Sequence, residues 1–323
     1  MIAEHVLSVS IAPSGKEEEL KLAAALTLLR KEDALLGVGT DPETGKMILY
    51  GVGELHLQLV RERLQREFGV KSAFGPLRIV YRETIHREVR EEAKFIRKSG
   101  GRGQFAHCTL KLEPLADQDG FEFDCDAQGI PPAFVGSVER GVREALDQGP
   151  IGGYPLIGIK ATLVGASFNE EESNEMAFKI AGAMALRSGC KKASPAILEP
   201  VMKLEAAFPE KYAGAVVGEL NGRRANILEI GGGSIQKLKG TVPLSEMFGF
   251  ANTMRGLSSG NVSFMMEPSH FEEIPTEKWR ATNDPHSPDE PPTASAGRPV
   301  KPSGPKPGIP GGKGKDFPPE QDA

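Results

Sequence analysis

The sequence predicts an α+β protein of three small modules in series, two ferredoxin-like βαββαβ sandwiches flanking a unit of different pattern, with a disordered tail behind them. Three observations predict it. The order strand, helix, strand, strand, helix, strand can be read in residues 1–79 and again in 198–275. The stretch 80–197 between them follows another order. From Thr276 onward the chain places 11 of its 25 prolines among Gly, Ser and Lys (285, 288, 291, 292, 299, 302, 305, 307, 310, 318 and 319), with little to bury, so 276–323 is assigned as tail. At 323 residues and 39% hydrophobic content, the remainder is long enough for two or three cores.

The elements follow in chain order. "HVLSVSI" alternates as a strand does, Ser14 and Glu17 stand at capping-box spacing, and Leu20 to Arg30 is an Ala- and Leu-rich helix. "DPETG" at 41–45 predicts a hairpin turn, with "MILYG" as its second strand. In "GELHLQLVRERLQREFG", Leu57, Val60, Leu64 and Phe68 recur at helical spacing up to Gly69, a C-terminal stop. A short strand before Gly75 and Pro76 closes the first module.

The middle stretch opens with strands from Val89 to Ile96 and Cys108 to Leu112 around the loop "RKSGGRGQFAH". A helix "AFVGSVERGVREALDQG" follows, with Val135, Val138, Val142 and Leu146 on one face. Then come a strand "LIGIKATLV", an acidic loop "GASFNEEESN" and a helix "EMAFKIAGAMALRSG". In the third module "VMKLEAAF", the helix "EKYAGAVVGELNGRR", the strands "NILEI" and "IQKLKGTVP" around a "GGGS" turn, one helix "LSEMFGFANTMRGLSSG" and "VSFMMEP" restore the first order. The junctions "GVGELH" and "VPLSEMFG" both enter a helix through a Glu in its first turn.

Composition bounds the chemistry. No apolar run approaches the roughly 20 residues of a membrane helix and the N-terminus has no signal-peptide pattern, which predicts a soluble, cytoplasmic protein with no membrane partner. Cys108, Cys125 and Cys190 are too far apart for a disulfide framework or a metal knuckle and are expected to be buried. The net charge of −5 gives no general basic excess and no case for DNA. Charge is nevertheless segregated: between Ala93 and Leu112 stand Lys94, Arg97, Lys98, Arg102 and Lys111 without an acid, whereas Glu17–Glu19 and Glu170–Glu172 are acidic runs.

The glycine-rich loop, Arg97, Lys98, Ser99, Gly100, Gly101, Arg102, Gly103 and Gln104, is a poor phosphate cradle because strands, not a helix N-terminus, flank it. It is either a soluble hairpin tip or an RNA-contacting one, in which glycine admits the backbone to phosphates that Arg and Lys neutralise. His56 has no second ligand at metal spacing and reads as a packed or rim residue, and Glu54 as a helix-dipole partner. Lys191 and Lys192, with Arg187, stand at a helix end; Arg223 and Arg224 follow a helix stop. Either pair complements a dipole or meets phosphate. The six histidines form no catalytic constellation, and no metal site is expected.

Several long stretches, among them "YGVGELHLQLVRERLQREFGV", "KSGGRGQFAHCTLKLEPL", "SNEMAFKIAGAMALRSGCKKA" and "LEPVMKLEAAFPEKYAGAVVGELNGRRANI", resemble in one order the C-terminal half of bacterial elongation factor G, domains III, IV and V, over about residues 4–274. The resemblance implies a ribosomal-protein-S5-like βαβ domain for 80–197, and a translation factor that binds the ribosome during tRNA–mRNA translocation. It implies contacts with the small-subunit decoding region through two tip loops, Arg97 to Gln104 and Phe168, Asn169 and Glu170. Asn169 stands where the family usually has histidine. It also implies rRNA contacts at the large-subunit factor-binding region for Arg223 and Arg224, with Lys191 and Lys192 as further candidates, and an interdomain relay through Glu54, His56 and Arg61. The chain has no GxxxxGK[ST] or NKxD motif, so it is expected to be no enzyme and to hold no cofactor by itself, GTP and Mg²⁺ belonging to an absent or separate GTPase domain. A split GTPase, a ribosome recycling, protection or regulatory RNA-binding module, and a truncated remnant are the alternatives.

Overall fold

In the computed structural model, residues 5–40, 45–99, 102–115, 120–275 and 279 are described. The "DPETG" turn, apart from Gly45, and the tail, apart from Trp279, lie outside them. The first unit runs β1 (Leu7–Pro13), α1 (Lys16–Glu32), β2 (Gly37–Thr40), β3 (Met47–Gly51), α2 (Glu54–Arg66) and β4 (Ser72–Ile79), with its sheet in the order β2-β3-β1-β4. Alternation in β1 turns Leu7, Val9 and Ile11 inward, where they meet Leu22, Leu26 and Leu29 of α1 and Leu57, Val60 and Leu64 of α2. Each such side chain contributes about 1.5–3 kcal/mol by leaving water.

Two local expectations fail here. The capping box does not form: the N-cap of α1 is Gly15, without a side-chain cap, and α1 begins earlier than Leu20. The carboxylate of Glu18 instead accepts the N–H of Lys71, 2.7 Å away across the module. Strand β4 also continues through Gly75 and Pro76, which together oppose the single residue Ser10 of β1 as a bulge in β4.

The middle unit comprises β6 (Val89–Ser99), β7 (Arg102–Pro114), β8 (Phe121–Cys125), α3 (Pro132–Ala145), β9 (Ile159–Ser167) and α4 (Glu175–Lys192). Its sheet is ordered β6-β7-β9-β8, and α3 crosses between the parallel strands β8 and β9 as a βαβ unit. Strand β8 is not among the strands expected from the sequence, although Phe121 to Cys125 alternate apolar and polar residues. Helices α3 and α4 lie on one face of the sheet in close contact. A Cβ at Gly141 would strike the carbonyl of Lys179, and one at Gly182 would stand 2.8 Å from the carbonyl of Val138.

The third unit comprises β10 (Pro195–Pro209), a 3₁₀ turn Glu210–Tyr212, α5 (Ala213–Gly222), β11 (Asn226–Gly232), β12 (Ile235–Pro243), a 3₁₀ turn Leu244–Met247, α6 (Phe250–Ser258) and β13 (Ser263–Glu273). Its order β11-β12-β10-β13 repeats that of the first sheet. The single helix expected over 244–260 is broken, since Gly249, at φ 74°, turns the chain between the 3₁₀ turn and α6. Strand β5 (Arg82–Ile85), within the stretch read as the middle module, pairs with Pro195–Leu198 of β10 in the third sheet. The middle and third units are thereby joined by a ladder and not only by a linker.

Candidate nucleic-acid interface

Strands β6 and β7 form a hairpin in which Arg97 faces Gln104, Lys98 faces Gly103 and Ser99 faces Arg102. Gly100 and Gly101, and the side chains of Lys98, Ser99 and Arg102, lie outside the described residues. The acidic loop after β9 is fastened to this hairpin. Phe105 donates its N–H to the carbonyl of Glu172 at 2.9 Å, and the Ser173 hydroxyl donates to the carbonyl of Phe105 at 2.7 Å. A Cβ at Gly103 would meet the Glu172 carboxylate, which would have to swing aside, so glycine favours this close approach as well as a soft tip. Arg97, Gly103 and Gln104 face Glu171, Glu172, Ser173 and Asn174 across an open groove of about 580 Å³.

The loop is itself ordered by short polar contacts. Asn169 accepts the N–H of Glu171 at its Oδ1, 2.9 Å away, and donates its own N–H to the Ser173 hydroxyl, also at 2.9 Å. Asn174 caps α4 by accepting from Ala177. Phe168 packs edge-on against Phe134, which stacks on the buried Phe178 at 4.5 Å. The ring is thus supported from the core while remaining 38% exposed. Glu170 is exposed. The two loops expected to act together are therefore brought together, joined by Glu172, the last residue of the acidic run, and by Ser173, which no sequence motif singled out.

Other candidates are placed differently. The guanidinium of Arg224 is bidentate on Glu199, at 2.7 and 3.0 Å, and also reaches Glu246, while Glu199 is 1% exposed. Arg223 bonds Glu219 and the carbonyls of Glu246 and Phe248, and lies over the ring of Phe250. Both arginines, read from sequence as candidate phosphate contacts, face inward networks because α5 ends there and must be joined to the turn at 244–247. Lys192 pairs with Glu91 at 2.7 Å; Lys191 is exposed.

His56 accepts the N–H of Val52 at Nδ1, which fixes the Nε2–H tautomer and directs it to Asp33, 2.8 Å away. It ties the β3–α2 junction to the end of α1, as the packed reading expected. Glu54 is exposed on the first turn of α2, and Arg61 lies over Phe74. Cys108 and Cys190 are buried, which pushes each thiol up to about 12. Cys125, expected to be buried, is exposed on β8.

Three family models match consecutive stretches of this chain: elongation factor G domain III at residues 2–76, domain IV at 77–194 and the elongation factor G C-terminus at 196–281. The chain belongs to the elongation factor G family. Elongation factor G of Fervidobacterium nodosum is 46% identical to it over 275 residues, 84% of this chain and 40% of that protein. For Thermotoga petrophila elongation factor G the identity is 45% over 277 residues, with the same shares. A protein from Thermus thermophilus of known crystal structure superposes with a TM-score of 0.67 at 32% identity, over 86% of this chain and 42% of that one. The chain thus spans about two fifths of the length of the elongation factors G that it matches. The hairpin and its acidic neighbour both fall in the domain IV stretch, and the C-terminal match extends past Thr276, where tail was expected.

Proposed function

We propose that this elongation factor G-like chain works in the cytoplasm by binding the ribosome, with the β6–β7 hairpin and the loop at 168–173 as its contact with RNA in the small-subunit decoding region. The carrying observation is the fastening of the two loops through Phe105, Glu172 and Ser173 at the end of a hairpin that holds Arg97. A fastened tip enters an RNA site without an ordering cost, and its cations neutralise phosphate. The action is steric and electrostatic, without a catalytic group or cofactor in this span. GTP and Mg²⁺ act through a GTPase domain elsewhere in the assembly.

Ribosome pelleting at two salt concentrations tests this, comparing the protein with its Arg97→Ala, Lys98→Ala, Arg102→Ala triple variant. With a slope of about −0.7 per neutralised single-strand phosphate, loss of three contacts flattens the salt dependence by about 2. Equal slopes for the two proteins would remove the tip from the mechanism.

A second reading, in which this chain docks on a separate GTPase-domain chain, is favoured by leucines left on the outer faces of α1 and α2. Leu20 is 75% exposed, Leu55 68% and Leu59 51%, with Glu54 and Arg61 beside the latter two. Leu55 and Leu59, one turn apart on α2, give that helix an apolar outer stripe on which a partner could dock. Co-purification with that chain, lost on Leu55→Asp and Leu59→Asp, is its expected sign.

A further inference from the structure

The three units meet at one small cluster, and a residue from beyond β13 closes it. Tyr81, Ile197 and Ile274 are buried there, with Ile79, Tyr154 and Trp279 packed against them. Ile79 ends β4 of the first unit, Tyr154 belongs to the loop between α3 and β9, and Ile197 and Ile274 come from the third unit, where the Ile274 N–H donates to the Ile197 carbonyl at 3.0 Å. The Trp279 indole stands edge-on to both tyrosines, with ring centres 5.5 Å from Tyr81 and 5.7 Å from Tyr154. Edge-to-face pairs of this kind add specific attraction to apolar burial.

The loop that supplies Tyr154 is held from the opposite side by a wholly buried carboxylate. Glu83 of β5 accepts the N–H groups of Ile151 and Gly152 at 2.8 Å and of Tyr154 at 3.1 Å. Its backbone is bound to the same loop, donating to the Pro155 carbonyl and accepting from Ile157, each at 2.9 Å. A side chain at Gly149 would strike that carboxylate, and one at Gly152 would strike Tyr154. Since β5 is also laddered to β10, the loop of the middle unit is fixed to the third unit through one strand, one carboxylate and one indole.

We propose that Glu83 and Trp279 form an intramolecular lock that holds the middle unit, and with it the hairpin finger, at a fixed angle to the third. Trp279 is a positioning residue: its indole reaches no RNA-contacting loop and acts through Tyr81 and Tyr154. Withdrawal of the indole frees one face of the 149–154 loop, leaving the β5 ladder and the Glu83 hydrogen bonds to oppose reorientation of the finger. The lock is a property of the isolated chain, so its test is independent of ribosome binding.

Trp279 is the sole tryptophan in the sequence, and its fluorescence in the full chain reads the lock directly. The expected result is an emission shifted to the blue of free indole and shielded from acrylamide, shifting red and becoming more quenchable in Glu83→Gln, where an amide NH₂ is turned on backbone donors. Spin labels at the exposed Cys125 and at Lys237→Cys on β12 then measure the distance between the two units. A narrow distance distribution is expected for this protein and for Trp279→Phe, and a broad one for Trp279→Ala with unchanged far-ultraviolet dichroism. If Trp279→Ala does not fold, Trp279→Leu, which keeps apolar volume without a ring edge, takes its place with the same expectation. Emission at the position of free indole in the unaltered protein, or an unbroadened distribution in the substituted chain, would overturn the proposal.

Discussion

At the scale of single residues, Arg224 shows how a side chain's role follows from its neighbours and not from its charge. It occupies the left-handed region at φ 57° just past α5, and that turn aims the guanidinium at Glu199, buried on β10. Among the described residues, Arg224→Ala leaves Glu199 with the Ser245 hydroxyl alone, 2.6 Å away. Removing one partner of a buried pair typically costs about 3–5 kcal/mol, so a loss toward the lower end is expected in urea unfolding. A cost within the range of an exposed ion pair would show that Glu199 finds water instead. Thiol chemistry gives a second check. Burial pushes Cys108 and Cys190 up to about 12, whereas Cys125 is exposed, so a native-state thiol titration should find one fast thiol and two that react only on unfolding. Two fast thiols in the native protein would contradict the placement of β7 or α4. Neither distinction is legible in the sequence, because burial is set by which strands become neighbours.

At the scale of elements, the pairing of α3 with α4 depends on small residues that the hydrophobic pattern does not single out. Val138 and Val142 mark the buried face of α3 by spacing alone, but Gly141 between them lies against the backbone of Lys179. Gly141→Ala therefore cannot be absorbed by a side-chain rotation. Overpacking of this kind costs about 1–3 kcal/mol, against the stabilisation that Ala normally brings to a helix. A lowered urea midpoint is expected, and a raised one would mean that the helices separate at little cost. At the tip the constraint is softer, because the Glu172 carboxylate facing Gly103 can rotate aside. Gly103 is expected from sequence to give flexibility and backbone access, yet in the fold it is also the surface on which Glu172 lies. Strand β8 does carry an alternating pattern, Phe121-Glu122-Phe123-Asp124-Cys125, but five residues cannot say that it pairs in parallel with β9, which the α3 crossover decides.

At the scale of the whole molecule, most buried side chains of the first and third units belong to one continuous cluster, and those of the middle unit to another. Heating should therefore melt the chain in more than one step, with a calorimetric enthalpy larger than the van't Hoff value; equality of the two would mean that the β5–β10 ladder couples the cores completely. The sequence by itself determined the two βαββαβ orders, the helices with their buried faces, the glycine-rich basic turn and the family to which these stretches belong, because each is written in local periodicity or in long collinear motifs. It could not place Trp279, which sits in a run of prolines and charges and has no apolar neighbours in sequence. Only the tertiary structure decided that its ring meets Tyr81 and Tyr154, that Glu83 holds the loop at 151–154, and that Arg223 and Arg224 face inward. The physical reason is common to all three: each is fixed by contacts between residues far apart in the chain, and a charge or a ring carries no local mark of the partner it will find.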